Sequence, residues 1–137
     1  MKLTDDEFVT AFENLSLGGD SFGHRDHIRL AWIYLNRYPA HEALPLFANG
    51  LRKFATHLGA ANKYHATITW AYLALINERM VRGGDPAARQ ALSWEAFSAE
   101  NADLFEWPGG ALSRYYEPST LDSDLARRTF LMPDRVA

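Results

Sequence analysis

The chain has 137 residues, 47% of them hydrophobic and 13% aromatic, with a formal net charge of -3 and no cysteine. A chain of this size buries about two-thirds of the surface its unfolded form exposes, so one domain suffices and the material for a core is ample. Its slight acidity excludes a general attraction to nucleic acid, and the lack of thiols excludes disulfides, thiolate metal sites and a cysteine nucleophile.

Thr4 followed three residues later by Glu7 is a capping-box pattern, and Phe8, Ala11, Phe12 and Leu15 continue it at helical spacing. The first helix is therefore expected over about 4–14. Ser16 to Gly23 carries no period and reads as a loop. The stretch FGHRDHIRLAWIYL, Phe22 to Leu35, opens a second helix that runs to about Tyr38 and stops at Pro39. A third helix is expected over 40–57, with Leu44, Phe47, Leu51 and Phe54 on one side and Gly59 as its stop. After a short connection, a fourth helix over about 64–82 carries ITWAYLALI and is the most apolar element; Gly83-Gly84 ends it.

Asp85-Pro86 predicts a short helix through about Leu92, and Ser93 caps a further one over WEAFSAENA. The tail carries a turn around Ala111 to Tyr116 and a helix near Thr120 to Thr129. Period-two alternation bounded by turns is absent throughout. The prediction is an all-α chain, a single-domain helical bundle of about five to six helices covering 1–137. No signal peptide and no run of ~18 apolar residues is present, so a cytoplasmic protein with no membrane partner is expected.

Histidines recur at helix starts. In the second helix, His24, His27, Ala31, Tyr34 and Tyr38 form one seam of three-and-four spacing, and in the fourth His65, Thr69, Tyr72 and Ile76 do the same. Short connections favour antiparallel neighbours, which makes helices two and four parallel and sends His24, His27, His65 and His57 to one pole, with His41 at the other. A helix N-terminus disfavours imidazolium, and a neutral imidazole is what a metal ion needs. Three such nitrogens suit zinc; two or three with a carboxylate suit iron or manganese, and Asp20, Asp26, Glu13 and Glu117 are the carboxylates to consider. The competing reading is that each imidazole simply bonds a backbone carbonyl.

The segment NKYHATITWAY, Asn62 to Tyr72, crowds Lys63, Tyr64, His65, Thr67 and Thr69 into the opening of the most apolar helix. Buried without partners, each group would cost ~1–3 kcal/mol. Lys63 and Arg25, beside two helix starts, suit an anionic substrate; alternatively Thr67 and Thr69 bond back to helix carbonyls and Lys63 is solvated. Trp32, Trp70, Phe47, Phe54 and Phe97 read as core. Glu78, Arg79, Arg82, Arg127 and Arg128 read as surface charges or surface pairs. No phosphate-binding loop, dinucleotide fingerprint, nucleophile elbow or His-Glu-x-x-His pattern occurs.

The segments FGHRDHIRLAWIYL, NKYHATITWAYLALINERM and SWEAFSAENADL resemble those of a group of small uncharacterised bacterial all-helical proteins, over Phe22 to about Arg128. The resemblance implies a stand-alone helical domain and transfers no catalytic residue. From the residues themselves, the expected function is a metal-binding protein or small metal-dependent enzyme with His24, His27 and His65 as ligands. Lys63, Tyr64 and Thr69 would serve catalysis, and Arg25 and Lys63 would bind a small-molecule anion. The alternatives are a metal-free pocket for a small acid and a helical interaction module without catalysis, with homo-oligomerisation left open.

Overall fold

The computed structural model of the chain describes residues 3–82, 93–107 and 110–135. It is all-α, 73% helical, with no strand among the described residues. Its contacts gather in two compact units, Met1–Tyr64 and His65–Ala137. Among the described residues no helix is long and apolar enough to cross a membrane.

The first unit holds α1 (Asp5–Glu13), α2 (His24–Arg37) and α3 (Ala40–His57). The capping box forms as expected: the Thr4 hydroxyl accepts the Glu7 N–H at 3.2 Å, and the Glu7 carboxylate accepts the Thr4 N–H at 2.9 Å. At the end of α3, the Ala60 N–H reaches the Ala55 carbonyl at 2.8 Å and the Gly59 N–H reaches the Thr56 carbonyl at 3.0 Å. This double closure needs a left-handed residue, and Gly59 supplies it at φ 72°. The end of α1 makes the same pair of bonds with Leu15 at φ 64°, a conformation a branched side chain resists.

Aromatic rings fill the space between these helices. Phe22 lies 5.9 Å from Phe12 and 5.1 Å from Phe54, and Phe8, Phe12, Phe47 and Phe54 are all buried. At Gly50 an added Cβ would sit 2.8 Å from the Phe12 ring, so α1 and α3 approach too closely there for any larger residue. Arg29 of α2 holds the start of α1, donating to the Leu3 carbonyl at 2.9 Å and to Asp5 at 2.8 Å, with its guanidinium 4.9 Å above the Phe8 ring.

The second unit holds α4 (Ala66–Arg82), α5 (Trp94–Glu100), α6 (Pro118–Leu121) and α7 (Asp124–Arg128). The helix predicted over 85–92 lies outside the described residues. The single helix predicted over 120–129 is instead two, because Ser123 caps a new start: its hydroxyl accepts the Ala126 N–H at 3.1 Å and donates back to the Thr120 carbonyl at 2.7 Å. Beyond α7 the chain is extended, and seven hydrogen bonds strap it down. The Thr67 hydroxyl donates to the Thr129 carbonyl at 2.8 Å and accepts the Leu131 N–H at 3.1 Å. Tyr116 donates to the Leu131 carbonyl at 2.7 Å, and Arg135 bonds the carbonyls of Tyr115 and Ser113 through its backbone and side chain at 2.9 and 2.8 Å. Asp134 accepts the Glu117 N–H at 3.0 Å and a further bond from the Thr120 hydroxyl.

Several sequence expectations are corrected here. The alternative in which Thr67 bonds back to its own helix does not hold, because its hydroxyl anchors the C-terminal segment. Trp70, expected in the core, is 38% exposed and stacks on Phe130 at 5.3 Å. Arg79 is no surface charge: its guanidinium grips Asp103 through two bonds of 2.5 and 2.7 Å, part-buried, which holds the Asp103 carboxyl below the usual carboxylate range. Glu78 with Arg82 and Asp124 with Arg128 do form exposed pairs one helical turn apart.

Candidate functional site

The first turn of α2 begins at His24 because the chain arrives extended through Gly23, whose N–H donates to the Asp26 carboxylate at 2.9 Å. That bond spends one Asp26 oxygen on closing the helix end and places a negative charge at the positive end of the helix. His24 and His27 project from this turn three residues apart, on the side of α2 that carries Ala31 and Tyr34. His24 is half-buried and Arg25 between them is exposed.

His27 stands among rings. Phe22 lies 6.1 Å from it and Phe47 5.4 Å, centroid to centroid. Its Nε2 is enclosed and has no hydrogen-bond partner among the described residues. Burial first, and the neighbouring His24 second, push the His27 pKa down to about 4. The imidazole is therefore neutral throughout the physiological range, with one nitrogen sealed from water and bonded to no described group. An enclosed polar atom in that state costs ~1–3 kcal/mol. Further along α2, Tyr34 donates to the Glu13 carboxylate at 2.5 Å, so the next polar group on the seam is satisfied and Glu13 is engaged.

His65 has a different fate. It precedes α4, and its Nδ1 accepts the Ile68 N–H at 3.1 Å, an imidazole standing where a serine or aspartate usually caps a helix. With Nδ1 accepting, Nε2 carries the proton, and it lies 2.7 Å from the Leu121 carbonyl, to which it donates. Burial lowers the His65 pKa, the Arg127 charge adding to the effect while the Leu121 carbonyl opposes it. Both ring nitrogens are taken by backbone groups of its own unit, so neither is open to a metal ion in this arrangement.

No family model matches the chain, and neither does any curated protein or solved structure.

The remaining predicted site residues have these surroundings within their own units. Lys63 is exposed in the turn Ala61–Lys63, and Tyr64 follows it with its ring 5.1 Å beneath the Arg52 guanidinium, a contact no sequence spacing announces. Thr69 is 2% exposed on α4, in the second unit. His57 is exposed at the end of α3, and His41 is exposed beside Glu42. Among the described residues no three His, Asp or Glu gather closely enough to hold a metal ion. What the first unit does bring together is His24 and His27.

Proposed function

We propose that the chain is a small metal-binding protein that takes up a divalent transition metal through His24 and His27, in the first turn of α2. The observation that carries this reading is the His27 side chain: neutral at physiological pH and enclosed on one nitrogen that no described group satisfies. A depressed proton affinity removes the usual competitor for the His27 nitrogen. The His24 imidazole on the same helical turn supplies a second nitrogen, and the Asp26 carboxylate at the helix end offsets added positive charge.

Two protein donors leave coordination positions for water or an exogenous ligand, and such an ion supplies Lewis-acid chemistry to whatever small molecule it holds. Because Nε2 is enclosed, uptake requires the His27 ring to reorient, so binding is slower than at an exposed chelate. His65 is outside this site in the proposal, its nitrogens being committed to the Ile68 N–H and the Leu121 carbonyl.

Titration of untagged protein with cobalt(II) and zinc(II), followed by calorimetry and cobalt absorption, tests it. One ion per chain is expected, lost in His24→Ala and in His27→Leu and retained in His65→Asn. Failure to bind either ion below millimolar concentration, or binding that survives both substitutions in α2, overturns the proposal.

A further inference from the structure

The second unit contains a hollow of about 210 Å³ that none of the histidines enters. Its floor is the exposed side of α4 at Ala71 and Ala74, where small side chains leave room, and its walls are Tyr115, Tyr116 and Phe130. Glu78 stands at its edge and, among the described residues, is the one ionisable side chain lining it besides the two tyrosines.

The walls are fixed before any ligand arrives. Tyr116 is 1% exposed and its hydroxyl is committed to the Leu131 carbonyl at 2.7 Å, so it offers the hollow its ring rather than its oxygen. Phe130 is backed by Trp70, stacked at 5.3 Å with 19° between the planes. Thr67 and Arg135 pin the extended segment that carries Phe130 on both sides of it. Preorganised walls spare a ligand the entropy of ordering them.

We propose that this hollow binds a small organic cation, an ammonium group carried on a compact apolar body. The volume corresponds to about seven waters at ~30 Å³ each, room for a single ring and a short arm. Aromatic walls attract a cation through their ring faces, and the one carboxylate at the rim sets the sign of the charge. Competing positive charge is muted. Arg82 reaches Glu78 at 3.4 Å in an exposed pair of little energy, and the Arg79 charge is absorbed by its two bonds to Asp103.

The test uses phenethylamine and its neutral isostere 2-phenylethanol, titrated into the full chain and followed by amide NMR shifts. The amine is expected to bind at least fivefold more tightly than the alcohol, with shifts centred on residues 71–78, 115–116 and 130–133. Glu78→Gln should weaken the amine about three- to tenfold and leave the alcohol unchanged, while Ala74→Leu should block both. Glu78 is exposed, so its substitution leaves the fold intact, as an unchanged amide spectrum away from the site would confirm. Equal affinity for amine and alcohol, indifference of the amine to Glu78→Gln, or no binding of either below ~10 mM overturns the proposal.

Discussion

His27 in the first unit and His65 in the second are the same side chain set into the opening of a helix, and they end in opposite states. His65 is spent: one nitrogen accepts from the Ile68 N–H, the other donates to the Leu121 carbonyl. His27 is neutral, ringed by Phe22 and Phe47, with Nε2 bonded to no described group. An imidazole that completes backbone hydrogen bonding is explained by the fold it stabilises. One left with an enclosed, unsatisfied nitrogen is not, and that asymmetry is why the functional reading moves to α2 and away from α4.

The largest effect that would sharpen this contrast is on acid stability. His27 has a folded-state pKa of about 4 against about 6.5 when unfolded. Between those values the unfolded chain binds the extra proton, so stability rises with pH there. Protonation of His27 costs the fold nothing above about pH 6.5, costs progressively more as pH falls toward about 4, and changes no further below that. At 1.36 kcal/mol per pKa unit the loss is ~3 kcal/mol. Urea denaturation of metal-free protein across this range measures it, with His27→Leu as the control that isolates it from the carboxylates. Parallel curves for the two proteins would show that His27 is not held neutral.

Next in size is His65→Ala. It removes a helix cap worth ~1 kcal/mol and leaves the Leu121 carbonyl without its donor, a further ~1 kcal/mol or more, so a loss of ~2 kcal/mol is expected in urea denaturation at pH 7.5. His65→Asn keeps an acceptor at the cap but cannot span to Leu121, and should recover about half. If Asn recovers nothing, the cap is not what His65 contributes.

The same contrast shows what a sequence can and cannot announce. The helices of the first unit were legible because each is written twice, in an apolar period and in a start or stop: Thr4 with Glu7, Pro39, Gly59. The coarse histidine pattern was legible too, as spacing places His24 and His27 on one face of α2. Their difference from His65 was not. Which nitrogen finds a partner depends on Leu121, 56 residues away, and histidine is not a residue that signals a cap. The extended segment after α7 was invisible for a related reason. It has no period, and Thr67 reaches it across 62 residues through a hydroxyl that local rules assign to its own helix. The hollow over Ala71 and Ala74 depends on that segment for a wall, so it could not be read before the segment was placed.

The smallest expected effect is the most decisive in sign. His27→Leu replaces an enclosed nitrogen that no described group satisfies by a side chain of similar bulk that has nothing to satisfy. It forfeits ring contacts with Phe22 and Phe47 worth ~0.5–1 kcal/mol and removes a desolvation cost of ~1–3 kcal/mol, for a net gain of ~1 kcal/mol in metal-free protein at pH 7.5. The corresponding change at His65 can only lose, since both its nitrogens are in use. Opposite signs for the two substitutions in urea denaturation would establish that the fold tolerates His27 rather than needs it. A stabilising substitution that also abolishes cobalt binding would then mark a position where stability has been given up for a ligand. A loss of more than ~1 kcal/mol on His27→Leu would mean that the nitrogen is already satisfied in the native protein, and the contrast with His65 would vanish.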